Sequence, residues 1–446
     1  MSRIERIRAR EILDSRGNPT VQAEVECAGG AIGVGAVPSG ASTGRFEAFE
    51  LRDEDEKRYR GKGVLTAVAH VNNEIHAALL GKDAGKQRDI DRTMLDLDGT
   101  PSKRRLGANA ILAVSLACAR AEAASQGLPL YLYLQQLFPG GKPSLPVPLI
   151  NVINGGKHAN NPLSVQEFQI IPVGAATFSE ALRWGAEVYH TLREVVKEAN
   201  VAVGLGDEGG YDALGSKALD ESAEAFTFLV RAIERAGYDP ASQVVLGIDV
   251  AASEFFEAEK NQYQIDRRDV EADGLSELYR QWTAQFPIIS IEDPFQEEGW
   301  QDWSVFTKEH SSVCQIIGDD FFVTNPTRIE RGIREKAATA VLVKPNQIGT
   351  LSETLQAIAL AQKAGMNVII SHRSGETADT FIADLAVACG AGQIKAGAPA
   401  RSERTEKYNR LLEIEERLQL PLAQPLQGYR TRLSERYRGS REIVYT

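Results

Sequence analysis

Asp249, Glu292 and Asp319 each close a short β-branched run, in VVLGID, IISIED and CQIIGDD. Carboxylates that converge must be neutralised, and with no Cys or His among them hard oxygen ligands suit Mg²⁺ or Ca²⁺ rather than zinc. An open coordination shell shared with substrate oxygens favours Mg²⁺. Any one of the three alone reads more readily as a helix cap or a solvated strand end; their repetition in register points to a metal site. Lys344 in AVLVKPN and Lys395 in QIKAGAP close two further runs. A single lysine there is ordinarily solvent-facing. Beside another cation and a metal, however, its pKa is expected to fall until the neutral amine serves as a general base.

Other motifs carry weaker signals. GDEGG at 206–210 sets Asp207 and Glu208 between glycines, where a pliable backbone can bring a carboxyl against a ligand. Its extension GLGDEG matches a dinucleotide-loop spacing, but two acids inside the loop repel a pyrophosphate, so that match is rejected. SGASTG at 39–44 follows a predicted strand; it reads as a surface turn or as a lid whose Ser42 reaches a metal on closure. No GK[ST] is present, which excludes a nucleotide P-loop. SHRSGET at 371–377 offers Arg373 and Ser374 to an oxyanion such as phosphate. His158 in NGGKHANN is a loop histidine of the kind that is usually structural, and His70, His76, His190 and His310 are given no role.

The elements that position these residues follow from the spacing. From Glu292 onward the run-closing residues Asp319, Lys344, His372 and Lys395 recur after 27, 25, 28 and 23 residues, the length of a strand, loop and helix. Polar residues at the C-terminal ends of nearly every run favour an eight-stranded β/α barrel over an open sheet. The gap of 43 between Asp249 and Glu292 departs from this rhythm, and FEAEKNQYQID reads as an inserted hairpin. Ahead of the barrel, alternation through IERIRAREILD and TVQAEVECA around Ser15-Arg16-Gly17-Asn18-Pro19, then AIGVGAV, predicts a three-stranded meander. Residues 64–80 and the Ala-rich stretch ending at Gly127 carry helical periodicity. The Pro/Gly-dense FPGGKPSLPVP at 138–148 marks the joint, giving an α+β domain over 1–140 and a barrel over 141–446, in the α/β class.

Composition bounds the rest. With 43% hydrophobic and 25% charged residues the chain reads as globular, and a net charge of −11 argues against nucleic acid, whose phosphates need a basic face. Cys27, Cys118, Cys314 and Cys389 form no CxxC pair and read as buried thiols. MSRIERIRAR lacks an apolar core, and no stretch approaches a membrane span, so a cytoplasmic protein with no membrane partner is expected.

Together these motifs resemble the enolase family: PSGASTG, NGGKHANN, QEF, GDEGGY, LGIDVAASEF, SIEDPF, GDDFFVTNP, KPNQIGTLSET, SHRSGETADTFIADLAV and GQIKAGAPARSER, in family order from residue 38 to 404. The resemblance implies two Mg²⁺ per site, with Asp249, Glu292 and Asp319 as ligands of the first and Ser42 as loop contact to the second. It also implies Lys344 as general base and Glu208 as general acid, with Glu167 beside it. Lys395 would meet the substrate carboxylate, His372, Arg373 and Ser374 the substrate's phosphate end, and His158 would close over the substrate. The implied reaction interconverts 2-phosphoglycerate and phosphoenolpyruvate through an ene-diolate. Glu208 is expected to stay protonated through repulsion from carboxylates such as Glu167. A homodimer or larger homo-oligomer is implied. Phe46, Phe49 and Pro345 depart from the common family pattern without removing a chemical group. Rival readings are a racemase or acid-sugar dehydratase of the same superfamily, or a binding protein that keeps the fold.

Overall fold

The computed structural model describes residues 2–40, 44–199, 201–214 and 221–437. Strands β1 (Ile4–Leu13), β2 (Pro19–Cys27) and β3 (Ile32–Ala36) form the expected antiparallel meander. The β1–β2 turn is set by Asp14, whose Oδ1 accepts from the backbone N–H groups of Arg16 and Asn18 at 2.9 and 2.8 Å. One face of the meander lies on the helix Ala108–Ser125, nearly all of which is buried. Small residues make the approach close: a Cβ on Gly33 would fall 2.1 Å from the carbonyl oxygen of Ala117. The periodic stretch at 64–80 is helical throughout but contains a π turn at Val71–Ile75.

The larger sheet begins with β4 (Val147–Asn154) and β5 (Glu167–Ile171), followed by the hairpin β6 (Ala202–Leu205) and β7 (Tyr211–Leu214), then β8 (Val245–Asp249). The insertion that lengthens the next gap is a small antiparallel sheet of β9 (Phe256–Glu257), β10 (Gln262–Ile265) and β11 (Arg268–Val270). Five strands complete the set: β12 (Ile288–Glu292), β13 (Gln315–Gly318), β14 (Ala340–Val343), β15 (Asn367–Ser371) and β16 (Gly392–Lys395). The order β4-β5-β8-β12-β13-β14-β15-β16 closes through β16–β4 pairing, with Lys395 opposite Leu149, into an eight-stranded barrel. These strands are buried almost along their whole length, as expected for a sheet covered by helices.

The uniform βα rhythm read from the sequence needs one correction. β5 runs antiparallel to both β4 and β8. A parallel return demands a long crossover, usually helical, whereas residues 155–166 hold only a 3₁₀ turn and swing directly back. The β6–β7 hairpin then adds to β4 at Ile153 and Asn154, over the barrel mouth. The N-terminal domain docks at the same end, where Ser39 and Gly375 exchange backbone hydrogen bonds of 2.7 and 2.9 Å. No described helix is long and apolar enough to cross a membrane, and all four cysteines are buried and free.

Gly33→Val should destabilise the chain by about 3 kcal/mol, because the helix backbone facing the glycine cannot yield to a side chain. Urea unfolding measures this, and an unchanged midpoint would mean that the helix stands further off the sheet.

Candidate active site

The barrel's polarity delivers the run-closing residues to one end. Asp249, Glu292 and Lys395 are the last residues of β8, β12 and β16, while Asp319, Lys344 and His372 directly follow β13, β14 and β15. Glu167 arrives differently. It is the first residue of the reversed β5, and the reversal alone brings a strand's beginning to the mouth, in register with Asn154 and Asp249. Glu208 sits in the turn between β6 and β7, and His158 in the 3₁₀ turn Gly156–His158. One cavity is lined by Asp249, Asp319, Lys344, Glu167, Glu208, His158, Lys395 and the His372-Arg373-Ser374 segment. Glu292 is fully buried, and Ser42 lies outside the described residues.

Buried charge dominates the geometry. The Lys395 ammonium stands 2.8 Å from Glu292, 2.9 Å from Asp249 and 3.1 Å from Glu167. Burial would lower its pKa, but these carboxylates outweigh burial and hold it well above the usual lysine range. Even so the acids are in excess. Burial, then repulsion from Asp249, pushes Glu292 well above the usual carboxylate range, and its Oε2 has no hydrogen-bond partner among the described residues. Burial and Asp319 likewise push Asp320 up to about 8.

Three expectations change. First, the Lys344 pKa was expected to fall beside a metal; in the chain by itself Lys344 Nζ donates to Asp319 Oδ2, and this ion pair overrides burial and raises the pKa. Second, Asp319 gathers with Asp293 and Asp320, one oxygen of each lying within 4.8 Å of the others, so the acids available to a cation extend beyond Asp249, Glu292 and Asp319. Third, the two carboxyls are driven apart. Burial opposes ionisation, but His372, His158 and Arg404 hold Glu208 well below the usual range, whereas burial and the Glu208 charge push Glu167 well above it. Repulsion within the pair was expected to raise Glu208, and in this structure it raises Glu167.

Sequence reasoning missed several residues. Asp293 accepts from the backbone N–H groups of Asp319 and Asp320 at 2.9 and 2.8 Å, holding that turn in place from a left-handed conformation with φ 43°. Its position directly after Glu292 was the only available signal. Glu47 grips Arg373 with both carboxylate oxygens, at 2.9 and 3.1 Å, and Asn151 donates to Glu208 at 2.9 Å. Nothing local marks these residues, because their partners are at least 57 positions away.

Deeply buried carboxylates only partly neutralised by two lysines, an orphaned Glu292 oxygen and a donor set of hard oxygens all fit a divalent cation of the Mg²⁺ type. A closed barrel whose mouth gathers such groups is the architecture of a metal-assisted barrel enzyme. Family models match residues 4–134 as "Enolase, N-terminal domain" and residues 142–425 as "Enolase, C-terminal TIM barrel domain". The chain belongs to the enolase family, whose barrel enzymes generally use Mg²⁺.

The electrostatics of His372 yield a stability test. Burial lowers its pKa from 6.5 to about 3, so the unfolded ring takes up protons that the folded ring refuses. Its contribution to stability is complete above pH 6.5 and is lost as the pH falls toward about 3. His372→Gln should flatten the decline of melting temperature between pH 6.5 and about 5; parallel declines in variant and wild type would contradict a buried neutral ring.

Proposed function

We propose that the chain catalyses the reversible dehydration of 2-phospho-D-glycerate to phosphoenolpyruvate and water, as a hydro-lyase with two Mg²⁺ ions. The observation that carries this reading is the opposition of Lys344 and the Glu167–Glu208 pair. Lys344 follows β14, four strands around the eight-stranded barrel from β5, so base and acid face each other across the mouth. Dehydration needs that arrangement, with proton removal at C2 on one face and protonation of the departing 3-hydroxyl on the other.

Asp249, Glu292 and Asp319 would hold one ion, with Asp293 and Asp320 beside them, and Ser42 is proposed as a contact to the second. When bound, Mg²⁺ supplies positive charge beside the substrate carboxylate, where loss of the C2 proton builds a second negative charge. Lys344 removes that proton. What keeps Lys344 protonated is Asp319, so whatever draws this carboxylate away lowers the lysine's pKa and frees the amine. The Glu167–Glu208 pair, in which the Glu167 carboxyl is pushed up and the Glu208 carboxyl down, would deliver a proton to the leaving hydroxyl. Arg373 and Ser374 are placed to receive the phosphate, His372 lies between them and Glu208, and His158 covers the acid end. Lys395 is placed to meet the substrate carboxylate.

The same reading carries a cytoplasmic, homo-oligomeric protein.

Incubation with 2-phosphoglycerate and Mg²⁺ should produce the ultraviolet absorbance of an enol phosphate, and EDTA should abolish it. Turnover of acid sugars or amino-acid derivatives instead would transfer the site to another reaction of the superfamily. The two proton transfers separate in heavy water. Lys344→Ala should lose both product and exchange of the C2 hydrogen, whereas Glu208→Gln should lose product yet retain exchange. Exchange surviving in Lys344→Ala but not in Glu208→Gln would reverse the two roles.

A further inference from the structure

Arg404, one of the groups that hold Glu208 below the usual range, was given no role by the sequence and is wholly buried at the acid end of the site. It lies in the helix Ser402–Leu418, and its stem passes over Gly397, where an added Cβ would come 2.8 Å from Arg404 Cδ. Its Nη1 is 2.6 Å from His372 Nδ1 and 2.6 Å from the carbonyl oxygen of Arg373. Its Nη2 is 2.6 Å from the carbonyl oxygen of Ser374 and 3.1 Å from that of Asp207. The contacts therefore join two loops distant in sequence, the one that precedes Glu208 and the one that carries the anion contacts.

We infer that Arg404 is a positioning residue that locks His372 in its Nε2–H tautomer and so aims a hydrogen-bond donor at Glu208. The argument is one of donor accounting. A guanidinium has five N–H donors and no acceptor, so the ring nitrogen facing it must be a bare lone pair. With Nδ1 bare, a neutral imidazole carries its hydrogen on Nε2. Turning the ring over would instead bring a C–H group to 2.6 Å from Nη1, well inside contact distance. Burial keeps the ring neutral, in agreement with a single N–H. His372 Nε2 faces Glu208 Oε2 at 3.5 Å, while Asn151 donates to the same oxygen at 2.9 Å. The hydrogen that Arg404 forces onto Nε2 thus lies on the ring edge next to Glu208, within 3.5 Å of Oε2 though no hydrogen bond is formed between them in the resting site.

Charge alone does not explain this placement. A guanidinium made neutral by a carboxylate could sit anywhere in the interior, but here four close acceptors, an imidazole nitrogen and three carbonyls, match the planar fork. A lysine ammonium concentrates its donors at one point and cannot span both loops. The functional consequence rests on the reading of Glu208 and Glu167 as the acid pair, whereas the tautomer is a property of the resting protein.

The test is ¹⁵N–¹H long-range correlation NMR on the full chain labelled at histidine, at neutral pH, with the His372 signals identified by their loss in His372→Gln. The expected spectrum shows Nδ1 unprotonated and Nε2 protonated; an Nδ1–H ring, or averaging between the tautomers, overturns the assignment. In Arg404→Lys the ring should average between tautomers, and kcat for the dehydration should fall about 10- to 100-fold with KM within about threefold. An unaltered kcat alongside a released tautomer would overturn the positioning role. Should Arg404→Lys fail to fold, Arg404→Met, which keeps the stem, serves for the same measurement. A wild-type chain without dehydratase activity would sink the proposed reaction while leaving the wild-type tautomer to be read as before.

Discussion

The Lys395 ammonium, within 3.1 Å of three carboxylates, is the interaction on which the site depends. Asp249, Glu292 and Glu167 project from three neighbouring strands into a region closed to water. Unpaired, each would be neutralised by protonation or would open the barrel. Lys395 answers this from the strand that closes the barrel, since β16 pairs with β4 at Lys395 itself. Closure of the barrel and neutralisation of its acids are therefore one event, and a site that holds its charge this way is organised before any ligand arrives.

The remaining negative charge gives the mouth its chemistry. Lysines at two strand ends balance part of it, and the rest appears as raised pKa values at Glu292, Asp293, Asp320 and Glu167. A divalent cation held there would relieve that repulsion, and Asp293 already fixes the Asp319–Asp320 turn through its amides. On the opposite side, His372, His158 and Arg404 hold the Glu208 carboxyl below its usual range, while burial and the Glu208 charge push Glu167 above it. The barrel mouth is thus polarised, with metal-type oxygen donors and Lys344 on one side and the Glu167–Glu208 carboxyl pair on the other.

The N-terminal domain contributes more than a cap. Its 44–49 segment sends Glu47 to Arg373 as a two-pronged pair, both side chains nearly inaccessible to solvent. The same segment lays Phe46, a departure from the usual family pattern, under the Arg328 guanidinium at 4.2 Å. The loop after the meander is consequently pinned at its base by one ion pair and one cation–π contact, both to the barrel.

Much of this was written locally in the chain. The alternation of β1 and β2 on either side of the turn residues Ser15-Arg16-Gly17-Asn18-Pro19 and the recurrence of polar residues after buried β-branched runs reflect the periodicity of strands. They were sufficient to place Asp249, Glu292, Asp319, Lys344, His372 and Lys395 at strand ends and to separate a meander from a barrel. Reversal of β5 was not legible, since only the length and path of residues 155–166 decide it, and with it came the reason that Glu167 reaches the mouth. Nor were the partners of charge: Lys344 with Asp319, Glu47 with Arg373, Asp293 with the turn after β13, and Arg404 with His372. Periodicity and turn preference act over a few residues, so the sequence by itself determined which groups stand at the ends of strands. Electrostatic coupling in a buried site acts across segments that only folding brings together, so the tertiary structure alone decided which of those groups is pushed toward its neutral form, which is paired and which keeps an oxygen without a partner.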